Sequence, residues 1–105
     1  MSSLYPIRFK PMLREMLWGG DTLRERFGKK AKPGARIGES WEICGMPGKS
    51  SLVANGFLKG NSLEEIAEIY MDELLGEAVY AKFGTEFPLL VKFIDAADKL
   101  SIQVH

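Results

Sequence analysis

Asp98-Lys99-Leu100-Ser101-Ile102-Gln103-Val104-His105 alternates without a break. Leu100, Ile102 and Val104 fall on one side and Lys99, Ser101, Gln103 and His105 on the other, the period of a half-buried strand. Residues two apart on such a strand lie roughly 6–7 Å apart at Cα, on one side of the sheet. Gln103 and His105 can therefore converge on one ion. Imidazole is a common zinc ligand. A glutamine carbonyl oxygen is weaker and neutral, and leaves a metal more Lewis-acidic than a thiolate would. As a bare Gln-x-His the pattern also describes a polar strand face turned to solvent.

Upstream, Phe87-Pro88-Leu89-Leu90-Val91-Lys92-Phe93-Ile94 is apolar on both faces and predicts a central strand. Lys92 interrupts it. Desolvating an ammonium is costly, so Lys92 either snorkels to the sheet rim or enters a polar cavity to meet an anionic or hydroxylated ligand. Ser62-Leu63-Glu64-Glu65 is a capping box, and Leu63, Ile66, Ala67, Tyr70 and Leu74 continue from it as one apolar helical stripe. Gly76 can end that helix, and a second runs from Glu77 to Phe83. Ile37 to Cys44 alternates as a strand, with Glu39 and Trp41 on one face. Trp41 there either lines a site or belongs to the core. Asp21 to Phe27 predicts a short helix capped by Asp21, with Leu23 and Phe27 on one face and Gly28 at its end. Ser51–Ala54 and Phe57–Leu58 predict a hairpin or a strand broken around Asn55-Gly56.

The chain has 105 residues, 14 basic and 14 acidic, so its formal charge is zero. That length suits one domain with a single core. A neutral balance gives no long-range attraction for nucleic acid or anionic membrane. No apolar stretch approaches the roughly 20 residues that span a bilayer. Arg8, Lys10 and Arg14 stand where a signal peptide would need an apolar core. A single cysteine, Cys44, allows no internal disulfide and no Cys-x-x-Cys pair. Its neighbours Ile43 and Gly45 supply no activating base, so it reads as a small buried hydrophobe. A soluble, unexported protein of the reducing cytoplasm is expected.

Several segments in one order now carry a resemblance. Leu100-Ser101-Ile102-Gln103-Val104-His105, preceded by Pro88-Leu89-Leu90-Val91-Lys92-Phe93-Ile94-Asp95, resembles the metal-binding segment of type I mannose-6-phosphate isomerases. Trp18-Gly19-Gly20 resembles their N-terminal Trp-Gly signature, and Gly38-Glu39-Ser40-Trp41-Glu42-Ile43 their Gly-Glu-Ser-Trp-Glu strand. The match runs from about Tyr5 to His105. The resemblance implies a mainly β chain with an inserted helix, the N-terminal portion of a cupin-like jelly-roll barrel. It also implies zinc and a phosphorylated hexose substrate. Gln103 and His105 match two of the family's four zinc ligands, Ser101 and Trp18 match substrate-cavity positions, and Lys92 and Glu39 match positions lining that cavity. For Lys92 this favours the cavity role. Whether Glu39 accepts a proton or only holds structure, the spacing leaves open.

The family's other two ligands, a glutamate and a second histidine, lie downstream of the Gln-x-His motif, and a catalytic zinc usually has three protein ligands and one open position. Residues 1–105 are accordingly expected to be the N-terminal part of a single isomerase domain cut at His105, inactive alone, with an exposed sheet edge that invites self-association. The rival reading is a non-catalytic cupin-like module that binds sugar or associates with itself.

Overall fold

The computed structural model describes residues 4–102 and 104. Three strands, β1 (Met12–Gly20), β2 (Ile37–Cys44) and β3 (Leu90–Ile94), form one open sheet in the order β1-β2-β3. Four helices accompany them: α1 (Thr22–Glu25), α2 (Leu63–Tyr70), α3 (Asp72–Leu75) and α4 (Glu77–Phe83). The mainly β expectation with inserted helices is met at this level. Residues 4–10 and 42–91 make one compact unit, and residues 11–41 with the described part of 92–105 make another.

The first unit is organised by the start of α2. Ser62 Oγ accepts the Glu65 amide at 3.1 Å, and Glu65 Oε1 accepts the Ser62 amide at 3.2 Å, the reciprocal box predicted from the sequence. This fixes the phase of the helix and buries Leu63, Ile66 and Ala67, with Leu63 and Ile66 in one core with Val53 and Leu58. Tyr70, Leu74, Phe9 and Phe87 pack around that core. Ser62→Ala is expected to lower stability by about 1 kcal/mol, or the melting midpoint by roughly 4–8 °C, in a thermal denaturation scan. The predicted stripe holds, but the helix does not run unbroken to Gly76. Met71, at φ +49°, breaks it directly after Tyr70, and α3 carries Leu74 on to Gly76, whose φ of +87° ends it. Helix α4 has the predicted bounds.

The expected hairpin is displaced. Leu52 pairs antiparallel with Ser62, the Val53 amide donates to the Asn61 carbonyl at 2.8 Å, and residues 55–60 form the turn between them. Phe57 and Leu58 are therefore turn residues. The reason lies in contacts distant in sequence. Leu58 drops into the core from the turn, and its amide donates to the Tyr5 hydroxyl at 3.1 Å. Asn55 takes the Arg8 amide on Oδ1 at 2.8 Å and donates from Nδ2 to the Pro6 carbonyl at 3.0 Å. The N-terminal segment then adds its own ladder to Val53, with a Phe9–Val53 bridge and the Lys10 amide on the Leu52 carbonyl at 2.8 Å. Cys44 is fully buried, and its amide donates to Ser51 Oγ at 2.8 Å, in keeping with a packing role.

In the second unit, β1 and β2 pair antiparallel with Met12 opposite Trp41, Leu13 opposite Ser40 and Arg14 opposite Glu39. The register then slips, and Ile37 faces both Glu15 and Gly20. The end of β1 lies against the Ile37–Gly38 backbone and bridges onward from Gly19 to Ala96, with the Ala97 amide on the Trp18 carbonyl at 2.8 Å. Helix α1 is shorter than predicted. Asp21 makes no side-chain cap; Asp95 Oδ2 accepts the Thr22 amide instead, at 3.0 Å. Leu23 is buried, while Phe27 lies beyond the four-residue helix and stacks, partly exposed, on Phe93 at 5.7 Å between centroids.

Two expectations fail here. The sequence predicts a central strand for β3, yet among the described residues it is an edge strand, and Val91, Phe93 and Ile94 are exposed. Its apolar character on both faces says what it could bury, not how many neighbours flank it among the described residues. Residues 97–102 carry no strand at all, so the alternation that begins at Asp98 is not realised as one there.

Candidate functional site

Lys92 and Glu39 meet. Glu39 lies on β2 and Lys92 on β3, neighbours in the sheet, and Lys92 Nζ stands 3.2 Å from Glu39 Oε2. The other carboxylate oxygen, Oε1, accepts the indole N–H of Trp41 at 2.7 Å. Both side chains of the ion pair are largely shielded, with 22% of Lys92 and 13% of Glu39 exposed. This is the partner a Lys needs inside an apolar run. Arg14, opposite Glu39 in the ladder, places its guanidinium 4.7 Å from the centre of the Trp41 ring.

The electrostatics follow from this geometry. Burial pushes the Glu39 carboxyl up, but the hydrogen bonds from Trp41 and Lys92 and the charges of Lys92 and Arg14 outweigh it, so the group lies below its ordinary 4.5. Glu39 is thus an anion with both oxygens engaged. A carboxylate held in its anionic form by hydrogen bonds and neighbouring positive charge is a weak proton acceptor. Of the two roles the spacing left open for Glu39, the geometry favours holding structure.

The other predicted residues are placed as follows. Trp18 lines a concavity of about 540 Å³ together with Asp21, Arg24, Arg36 and Asp98. The Nε of Arg24 is buried there with no acceptor among the described residues. Ser101 is exposed in the segment without regular secondary structure that follows β3. Gln103 and His105 lie outside the described residues. Among those described, no group of three His, Cys, Asp or Glu side chains could hold a metal ion. No helix among them is long and apolar enough to cross a membrane.

The sequence did not single out Arg14, Arg24 or Arg36. Arg14 reaches Trp41 only through the β1–β2 register, and Arg24 and Arg36 meet Trp18 only after the end of β1 has folded back along β2. No local pattern encodes either.

Residues 7–105 match the family described as phosphomannose isomerase type I, catalytic domain. Over 100 residues the chain is 40% identical to mannose-6-phosphate isomerase ManA of Bacillus subtilis, covering 95% of this chain and 30% of that protein. The crystal structure of the mannose 6-phosphate isomerase from Bacillus subtilis superposes with a TM-score of 0.71 at 41% identity, over 87% of this chain and 27% of that one. A glutamate-to-alanine variant of phosphomannose isomerase from Salmonella typhimurium superposes with a TM-score of 0.79 at 33% identity, over 94% of this chain and 25% of that one. Fold and sequence thus define one class, the phosphomannose isomerases. Within it, the chain belongs to the type I family. It spans about 30% of the length of the curated relatives it matches.

Proposed function

We propose that the protein carrying this chain is a zinc-dependent aldose–ketose isomerase of the cytoplasm that interconverts mannose 6-phosphate and fructose 6-phosphate. In this reading residues 1–105 are the N-terminal portion of its cupin-type domain. The observation that supports it most is the match of residues 7–105 to an isomerase catalytic domain, with the shielded Lys92–Glu39 pair inside the matched region.

The reaction moves a proton between neighbouring carbons through an enediol, so negative charge develops on the substrate's C1 or C2 oxygen. Gln103 and His105 offer an amide oxygen and an imidazole nitrogen, a donor set that suits zinc as two of its ligands. When bound, zinc supplies a Lewis acid for the substrate oxygen. Lys92 uses one of its three N–H donors on Glu39 and keeps the others for sugar or phosphate oxygens. Ser101 and Trp18 orient the sugar. Glu39 contributes by holding Lys92 in place.

The test is a coupled mannose 6-phosphate assay on the protein isolated at its natural length, with and without a zinc chelator. Turnover that the chelator abolishes and added zinc restores is the expected result. No turnover with zinc present, or turnover indifferent to chelation, overturns the reading. A non-catalytic sugar-binding or self-associating module would account for the exposed β3 edge, but not for a match to a catalytic domain along residues 7–105.

A further inference from the structure

Glu39 is fastened by two donors of different kinds. Lys92 is a flexible, strongly hydrated cation that can exchange one oxygen partner for another. The Trp41 indole is a single N–H that donates and never accepts, on a residue with 7% of its surface exposed. Of the two, only Trp41 is locked by packing. Its ring is pinned again from β1, where the Arg14 guanidinium lies 4.7 Å from its centre. Glu39 and Trp41 are two apart on β2, so the strand itself sets the distance that the 2.7 Å hydrogen bond spans.

We propose that Trp41 is a positioning residue that acts through Glu39: its indole N–H fixes the carboxylate, and the carboxylate fixes the Lys92 ammonium. Trp41 thereby converts the packing of β2 into the placement of a side chain on β3. Arg14 serves the same chain of contacts by holding the ring and adding positive charge beside the carboxylate. The functional meaning of holding Lys92 rests on the isomerase reading. The arrangement itself does not, and it is tested without any turnover.

The variant is Trp41→Phe, which keeps an aromatic ring under Arg14 and deletes the N–H. The readout is the rate at which a lysine-acylating reagent modifies Lys92, relative to the exposed Lys59 in the same sample, followed by peptide mass spectrometry on the natural-length protein. Relative modification of Lys92 is expected to rise about threefold in Trp41→Phe and at least as much in Glu39→Gln, because a hydrogen bond to a charged group is lost in each. The double variant is expected to match Glu39→Gln alone, since Trp41 has nothing left to act through. An unchanged Lys92 in Trp41→Phe, or effects that add in the double variant, overturns the proposal. A merely structural role for Trp41 would loosen the surrounding chain and add.

A second measurement on the unsubstituted natural-length protein decides the matter if Trp41→Phe does not fold. Each tryptophan of the natural-length protein gives one indole signal in its nitrogen–proton spectrum. One, from Trp41, is expected to move as Glu39 is protonated, with a midpoint below 4.5 because Lys92, Arg14 and the indole itself favour the anion. The movement is expected to vanish in Glu39→Gln. Indole signals that all ignore acid, or a shift of the Trp41 signal that persists in Glu39→Gln, overturn the proposal.

Discussion

Lys92→Met in the natural-length protein is expected to lower kcat/KM for mannose 6-phosphate by about 10²–10³-fold, the range found when one charge-stabilising donor is removed from an active site. Methionine keeps most of the length of lysine and its apolar stem, so the side chain can still lie along β3. What it removes is the ammonium. Lys92→Arg is expected to recover part of the loss, because the charge returns with a different donor geometry.

The same substitution has a signature in stability. The Glu39 carboxyl lies below its ordinary 4.5 in the folded chain, so its ionisation contributes stability above that value, and the contribution is lost as pH falls through the lowered value. Removing Lys92 takes away a hydrogen bond and a charge that favour the anion. The variant is therefore expected to be less stable than the parent at neutral pH, with the gap closing in acid once Glu39 is protonated in both. Steady-state kinetics and urea midpoints at both pH values check the two halves separately. An unchanged kcat/KM would remove Lys92 from the mechanism; a gap that does not close in acid would show that the loss is one of packing.

How much of this was legible beforehand depends on the range of the interaction concerned. Helix α2 begins at Ser62 in sequence and in structure because a capping box closes within four residues. Strand β2 has its predicted bounds because Ile37 to Cys44 sits between turn-forming segments and alternates. Strand β3 starts three residues later than predicted and sits at an edge. The pairing of Lys92 with Glu39 was within reach, since a lysine in an apolar run demands a partner, but 53 residues separate the two and nothing local names which carboxylate it takes.

The segment from Asp98 shows the limit from the other side. Alternation is a side-chain pattern, whereas a strand exists only where its backbone groups find a neighbouring strand. Ala96 finds Gly19, the Ala97 amide finds the Trp18 carbonyl, and residues 98–102 find no ladder among the described residues. The predicted ligands Gln103 and His105 lie outside those residues, so the site is legible at its Glu39–Lys92 half alone. The Arg14–Trp41 contact was hidden for a further reason. It depends on a cross-strand register that slips one residue later, between Arg14 and Glu15.

The Trp18-Gly19-Gly20 motif has a physical reading that its resemblance to a signature does not supply, and Gly19→Ala exposes it. A Cβ at Gly19 would stand 2.5 Å from the Gly38 nitrogen, 2.6 Å from the Ile37 carbonyl carbon and 2.9 Å from that of Arg36. All three are backbone atoms and cannot rotate away. A Cβ at Gly38 would meet side chains instead: Met16 Cγ at 2.6 Å and the Trp18 ring at 2.7 Å, which can turn, and Met16 Cβ at 2.8 Å, which moves only with its backbone. Gly19→Ala must therefore lift β1 off β2, weakening the Gly19–Ala96 bridge and the hydrogen bond from the Ala97 amide to Trp18. A loss of about 3 kcal/mol is expected, at the upper end of ordinary overpacking costs, against roughly 1–2 kcal/mol for Gly38→Ala. In a thermal scan the first should melt roughly 12–24 °C below the parent. Amide exchange at Ala97 separates the local effect from the global one, since it should accelerate in Gly19→Ala under conditions where the chain remains folded. If the two variants melt together, the close approach of β1 to β2 is not what keeps alanine out of position 19.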